Sequence, residues 1–263
     1  MEIIFSKKDH RYISGDQVFT SVSKVLSKYK NEFNHDHWST YKALETLIPD
    51  FKTFKKGWNI DTSDFIEFAS QHVDSEKLSL EKSKILNSWE DANLKSINKG
   101  NQYHERREAM SYEQGFEVNP FTGGKFQITE SPSGEKTNLI SNLYNLQDGF
   151  YPELLIWNSD TLIAGQADKV FIETVGDNRY VDIDDYKTNK QIKKSSYKNQ
   201  KMKPPLSHLM DCNYTHYNLQ ISFYAWMLEE FGFHVRNLSF HHFNQMYKLK
   251  YLRSEVKAIA KNG

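Results

Sequence analysis

Between Tyr151 and Thr188 apolar side chains recur at alternate positions, and two clusters of turn residues, Asn158-Ser159-Asp160 and Gly176-Asp177-Asn178, cut the run into three strands. Strands joined by turns this short pair antiparallel with their neighbours, which leaves few topologies open. The third strand reads V-D-I-D-D-Y-K-T over residues 181–188. Strand side chains alternate between faces, so Asp185 and Lys187 lie with Val181 and Ile183, and Asp182, Asp184 and Tyr186 take the other face. Pairing across the second turn puts Asp168, at the end of I-A-G-Q-A-D, opposite residues 185–187. Two carboxylates and an ammonium then converge. Carboxylates held together repel unless a cation sits between them, and hard oxygen ligands suit Mg²⁺, which is usually held by one or two carboxylates with water and substrate phosphate. The same residues would equally make a solvated charged ladder, because a D-x-K triplet by itself is common.

With 263 residues, 38% of them apolar, the chain can bury a sizeable core as one domain spanning 1–263, mainly helical over 1–115 and sheet-containing over 116–263. Seventeen Phe, fifteen Tyr and five Trp argue against disorder. The 34 acids balance the 34 bases, so no global basic field announces a nucleic-acid partner, and any such surface must be local. A single cysteine, Cys212, excludes an internal disulfide framework and a four-cysteine zinc or iron–sulfur site within one chain. A soluble protein of a reducing, cytoplasmic compartment, cellular or phage-encoded, is expected. No run of eighteen apolar residues could span a membrane, and the start M-E-I-I-F-S-K-K-D-H has no apolar secretory segment.

Residues 1–20 predict a small β-element turning at Ser14-Gly15-Asp16, and Ser21 predicts an N-cap for a helix carrying Val22, Val25 and Leu26. Helical spacing runs from Trp38 to Leu47, where Pro49 stops it, and again from Asp64 to Val73. Residues 79–112 predict one long helix or two in succession, with Leu80, Ile85, Trp89, Ala92, Ser96, Gly100 and Tyr103 as the inward stripe. Gly100 costs a helix about 1 kcal/mol against Ala, so it marks either a break or a close approach. His104 lies one turn on, on the same face. Residues 113–145, with Pro120, Gly123, Gly124, Pro132 and Gly134, read as an irregular or hairpin-bearing connection, and Gly123-Gly124-Lys125 lacks the spacing of a phosphate loop. Glu153 is an acid in an apolar register, either at a wet strand end or aimed inward.

From Tyr186 to Met210 there are seven lysines and no acid. Such a run is either a solvated, mobile loop or, placed directly after Lys187, a path for phosphates. Asn213 or Thr215 would cap a helix over residues 217–231, with Tyr217, Ile221, Tyr224 and Leu228 inward and Gln220 one turn from Tyr224. Residues 235–243 predict a last strand, in which His241 and His242 point to opposite faces and read as structural or surface residues. Residues 252–260 predict a terminal helix.

Taken in order, His104 in G-N-Q-Y-H-E, Glu153 in Y-P-E-L, Asp168 in A-G-Q-A-D, Asp185 and Lys187 in D-Y-K-T, and Gln220 with Tyr224 in L-Q-I-S-F-Y resemble the RecB-type branch of the PD-(D/E)xK nuclease superfamily. The chain looks closest to the small exonucleases similar to the mitochondrial genome maintenance exonuclease and its phage relatives, over about residues 89 to 243. The resemblance implies an α/β fold with a restriction-endonuclease-like core, a mixed sheet flanked by helices, and a helical N-terminal part. It implies Mg²⁺- or Mn²⁺-dependent cleavage of DNA with one or two ions. Asp168 and Asp185 would be metal ligands, joined by His104 and the backbone carbonyl of Tyr186. Lys187 would position or activate the attacking water, Glu153 would be an accessory acid, and Gln220 with Tyr224 would orient the site or the DNA. Ala167 stands where the superfamily's name has proline, and one cysteine cannot hold the iron–sulfur cluster of some relatives.

The expected activity is that of a DNA exonuclease acting on ends with single-strand preference, with Lys190, Lys193, Lys194, Lys198 and Lys201 as a mobile cover over the strand. Replication or recombination proteins are the expected protein partners. A structure-selective or restriction-type endonuclease would use the same residues, and a non-catalytic DNA-binding module of the fold would normally have lost one of Asp168, Asp185 or Lys187.

Overall fold

A computed structural model of the chain describes residues 3–6, 11–129 and 143–261. Ten strands and seven α-helices follow one another among the described residues. In chain order they are β1 (Ile4–Ser6), β2 (Arg11–Ser14), β3 (Gln17–Ser21), α1 (Val22–Ser27), α2 (His35–Leu47), α3 (Phe51–Phe54), α4 (Ser63–Ser70) and α5 (Ser75–Gln114). Then come β4 (Phe116–Val118), β5 (Lys125–Gln127), β6 (Gly149–Asn158), β7 (Ile163–Val175), β8 (Asn178–Lys187), α6 (Asn213–Glu229), β9 (His234–His242), β10 (Gln245–Lys248) and α7 (Arg253–Ala260). They form two compact units, Met1–Asn31 with Gly100–Gly263, and Glu32–Lys99.

The first unit is an α/β body on an eight-stranded mixed sheet in the order β1-β2-β3-β7-β8-β9-β10, with β6 paired to β7. The turns at residues 159–162 and 176–177 fold β6, β7 and β8 into an antiparallel meander, as the period-two reading requires. The chain then crosses through α6 and returns in β9, parallel to β8. β3 pairs parallel with β7 only at residues 163–164, so β3 and β8 meet the same strand at different places. Ser21 caps α1 by accepting the Lys24 N–H at 3.2 Å, and α1 buries Val22, Val25 and Leu26.

Several boundaries differ from the reading of the sequence. β9 is not the last strand, because residues 243–244 turn it back into β10. α6 begins at Asn213, whose side chain does not cap it; the Asn213 Oδ1 accepts the Lys193 N–H at 2.7 Å and its amide donates to the Gln191 carbonyl at 2.9 Å. α6 has no single inward stripe. It is buried nearly all round, Phe223, Ala225 and Met227 as fully as Ile221 and Leu228, as befits a helix packed against both the sheet and α7. The connection after α5 bears the short hairpin of β4 and β5, while Pro132 and Gly134 lie outside the described residues.

α5 runs unbroken for 40 residues through Gly100, where an added Cβ would stand 3.4 Å from the Thr188 hydroxyl. Its expected inward stripe is not buried: Leu80 is 60% exposed, and Ser111 is the only buried residue described on the helix. The second unit gathers α2, α3, α4 and the first part of α5 around Tyr41, Leu44, Ile48, Phe51, Phe65 and Ala69. No helix among the described residues is long and apolar enough to cross a membrane.

Candidate metal centre

The β6–β7 ladder pairs Pro152 with Lys169 and Leu154 with Ala167, which sets Glu153 opposite Asp168. The β7–β8 ladder pairs residues up to Lys169 and Asp184, so Asp185 stands opposite Asp168 one step further on. Register alone therefore lines up three acids, Glu153, Asp168 and Asp185, across three adjacent strands. Glu153 reaches its place with a left-handed backbone, φ 49°, a conformation that costs an L-residue roughly 1–2 kcal/mol.

His104, from α5, closes over this row. Its Nδ1 lies 3.2 Å from the Asp168 Oδ2 and 3.7 Å from the Glu153 Oε1. Those three side chains place their ligand atoms within 4.8 Å of one another. Asp168 also accepts the Tyr186 N–H at 2.6 Å. Asp185, fully buried, turns its Oδ2 to the Lys187 ammonium, which lies 4.9 Å from the centre of the Tyr217 ring. Gln220 donates to the Tyr224 hydroxyl at 2.8 Å, and the Tyr224 ring packs so close to Gly165 that a Cβ there would stand 2.5 Å from its Cε1.

Charge repulsion governs the row. Burial, then the charge of Asp168, push the Asp185 carboxyl up to about 7 against the pull of Lys187. Burial opposes a charged His104, but its contacts with Asp168 and Glu153 and the nearby Asp185 outweigh burial and raise its pKa to about 10. A divalent cation held there would have to take the neutral imidazole in place of that proton. Two carboxylates and one imidazole, those of Glu153, Asp168 and His104, thus stand where they could share a metal ion, and carboxylate oxygens are the donors that hard ions such as Mg²⁺ or Mn²⁺ take.

The opposite face of β8 carries a second polar row that the sequence reading did not single out. Asp184 is fully buried and takes Lys169 at 2.9 Å, the Ser239 hydroxyl at 2.6 Å and the His241 Nδ1 at 2.8 Å. Burial works against its ionisation, yet His241 and Lys169 hold the Asp184 carboxyl below its usual range. Asp182 beside it accepts from Arg236 and Asn237, each at 2.7 Å, and from Asn119 at 2.7 Å. The Tyr186 ring lies on this face too, its centre 4.7 Å from the Lys169 ammonium and 4.9 Å from the Arg107 guanidinium. The register that set Asp168 opposite Asp185 also set Lys169 opposite Asp184, and that was the signal available. His241 is thus a partner of Asp184, while His242 turns away to the Asn189 carbonyl at 2.6 Å.

The lysine-rich segment is tied to its surroundings at several points. Besides the Asn213 clamp, Tyr214 donates to the Lys193 carbonyl at 3.2 Å, Lys201 bridges to Met210, and Lys203 donates to the Tyr29 carbonyl at 2.8 Å. Lys190, Lys193, Lys194, Lys198 and Lys201 are all exposed along this tethered ledge, and Lys194 lies over the Tyr214 and Tyr247 rings at 5.2 and 5.7 Å. The ledge begins beside the acid row, where Asn189 accepts from the Tyr217 hydroxyl. No protein-family model, characterised protein or solved structure matches the chain.

Proposed function

We propose that this chain is a divalent-metal-dependent deoxyribonuclease of the RecB-type PD-(D/E)xK kind, working as an exonuclease on DNA ends with single-strand preference. One observation carries the reading: Glu153, Asp168 and Asp185 stand in one row, with His104 over it and Lys187 fixed at its end. The β6-β7-β8 meander, the α6 crossover and the parallel β9 agree with the core that the motif order implies. Asp168, Asp185, His104 and the Tyr186 carbonyl would hold the metal, with Glu153 as an accessory acid.

Bound there, Mg²⁺ or Mn²⁺ would polarise the scissile phosphate and lower the pKa of a coordinated water. Hydrolysis adds the water's oxygen to phosphorus and breaks the ester P–O bond, one proton leaving the water and one reaching the departing alkoxide. Lys187, pinned by Asp185, sets a positive charge where negative charge grows on the phosphate. Tyr186 fixes the Asp168 carboxylate through its N–H, and the Gln220–Tyr224 pair, packed on Gly165, fixes the wall beside it. The basic ledge after Lys187 would hold backbone phosphates without reading bases.

End-labelled linear and circular single strands, with and without Mg²⁺, test the reading. Linear DNA should be shortened from an end only with metal, circles should persist, and Asp185→Asn should abolish cleavage. Cutting of circles would make the enzyme an endonuclease, and cutting by Asp185→Asn would sink the assignment.

A further inference from the structure

The second unit holds a column of aromatic rings that its packing does not use up. Phe51 and Phe54 are stacked at 15°, Phe54 and Phe68 at 21°, and Phe68 and Trp58 at 19° with centroids 4.5 Å apart. Elsewhere in the same small core the rings meet edge to face, Trp38 on Tyr41 at 70° and Tyr41 on Phe51 at 73°, which is a favoured arrangement for a packed core. The column ends in solvent. Trp58 is 40% exposed, with Phe68 stacked on its indole and Phe65 tilted against it at 52°, centroids 6.0 Å apart.

Gly57, at φ 89°, makes the turn that brings Trp58 round, with the Trp58 N–H donating to the Lys55 carbonyl at 3.1 Å. Trp58 is one of six residues, with Lys52, Thr53, Lys55, Lys56 and Ile60, that line a cleft of about 630 Å³. Three of the six are lysines and none is an acid, in a chain of zero net charge. Lys55 is committed, its ammonium 2.6 Å from the Tyr41 hydroxyl. Lys52 and Lys56 are exposed, and neither has an ion-pair partner among the described residues.

We infer that this cleft binds single-stranded DNA, one base continuing the ring column on Trp58 and the flanking phosphates lying against Lys52 and Lys56. An acidic peptide would satisfy the lysines but has no use for the open end of a parallel stack. A nucleobase has a flat π-face of any sequence, and base–aromatic stacking with lysines along the backbone is how non-specific single-strand sites are built. The cleft lies wholly within residues 32–99 and uses none of the residues assigned to the metal centre. It shares with the proposed function only the choice of DNA as partner.

Photocrosslinking of the full chain to a dT oligomer carrying one 5-iodouracil, in EDTA so that nothing is cut, tests it. Adducts should map to Trp58 and fall at least fivefold in Trp58→Ala. Lys52→Gln with Lys56→Gln, two exposed changes that leave the ring column whole, should flatten the salt dependence of adduct yield at that site by roughly 1.4 in log–log slope, at about 0.7 per phosphate contact. Adducts confined to other residues would overturn the inference. So would displacement of the Trp58 adduct by a glutamate-rich peptide as effective as unlabelled dT, which would mark an acidic-peptide surface. Metal-dependent cleavage reads the other site, so either reading can fail alone.

Discussion

Asp168 takes the Tyr186 N–H at 2.6 Å where the β7–β8 ladder has just ended at Lys169 and Asp184. A side-chain carboxylate thus replaces a backbone acceptor at the point where the strands part. Asp168→Asn keeps an acceptor there and Asp168→Ala does not, while both remove the same charge. The alanine variant should be less stable than the asparagine variant by about 1–3 kcal/mol in urea unfolding without metal, the cost of a buried unpaired donor. Equal stability would mean that the bond is not made in solution.

Asp185 should make the metal-free protein sensitive to pH. Its unfolded carboxyl titrates near 4, and the folded one is pushed up to about 7 by burial and Asp168. Between these values the folded state holds a proton that the unfolded state has lost, so stability falls as pH rises and levels off above about 7. Asp185→Asn removes that slope. Its advantage over the parent should grow from pH 4 to 7 by on the order of 1 kcal/mol or more, and shrink when Mg²⁺ is added; parallel pH profiles would count against the repulsion.

Lys187→Met keeps the packing and removes the charge. On the proposed reaction it should lower turnover about 100-fold or more while weakening DNA binding by only a few-fold, because the ammonium would act where charge develops. Single-turnover rates set beside binding isotherms decide the matter. Equal losses in both would make Lys187 a simple phosphate contact.

Glu153 holds a left-handed backbone inside a strand. In strands alanine normally outlasts glycine, but here the order should invert, with Glu153→Gly more stable than Glu153→Ala by roughly 1 kcal/mol, because only glycine adopts this φ without strain. Thermal denaturation of the two variants gives the answer, and the ordinary order would show that the bend relaxes once the acid is gone.

Two glycines near the row should respond in opposite directions. Gly165→Ala sets a methyl 2.5 Å from the Tyr224 ring and 3.3 Å from Val22, and should cost about 1–3 kcal/mol. Gly100→Ala meets only the Thr188 hydroxyl at 3.4 Å and should gain up to about 1 kcal/mol of helix propensity. Melting temperatures that move the same way would contradict this.

The meeting of Asp168, Asp185 and Lys187 was legible because a turn fixes register, and register fixes which residues face each other. Glu153 was legible as an anomaly but not as a bend, since a positive φ on glutamate leaves no trace in residue type. The Asp184 row stayed hidden for a different reason. With acids at residues 182, 184 and 185, alternation does not say which face is dry, and only the packing of Asn119, Arg236 and His241 decides it. The N-terminus of α6 was misplaced because the Asn213 side chain is taken by the Lys193 loop instead of its own helix. The exposure of α5 was missed because helical spacing of apolar residues promises a stripe, not a partner for it.

β8 carries charge above and below. In most strands a slip of one residue is forbidden because it turns apolar side chains to water and polar ones to the core. Here one exchange in such a slip, Asp184 for Asp185, is acid for acid, although the same slip would also turn the buried Val181 and Ile183 to the face of Asp182 and Asp184. Further resistance comes from cations anchored on the neighbours, Lys169 on β7 and Arg236 on β9, which donate to Asp184 and Asp182 in this alignment. The strand is indexed by charge as well as by its apolar residues, and the face that would grip a metal takes part of its alignment from two cations it never meets.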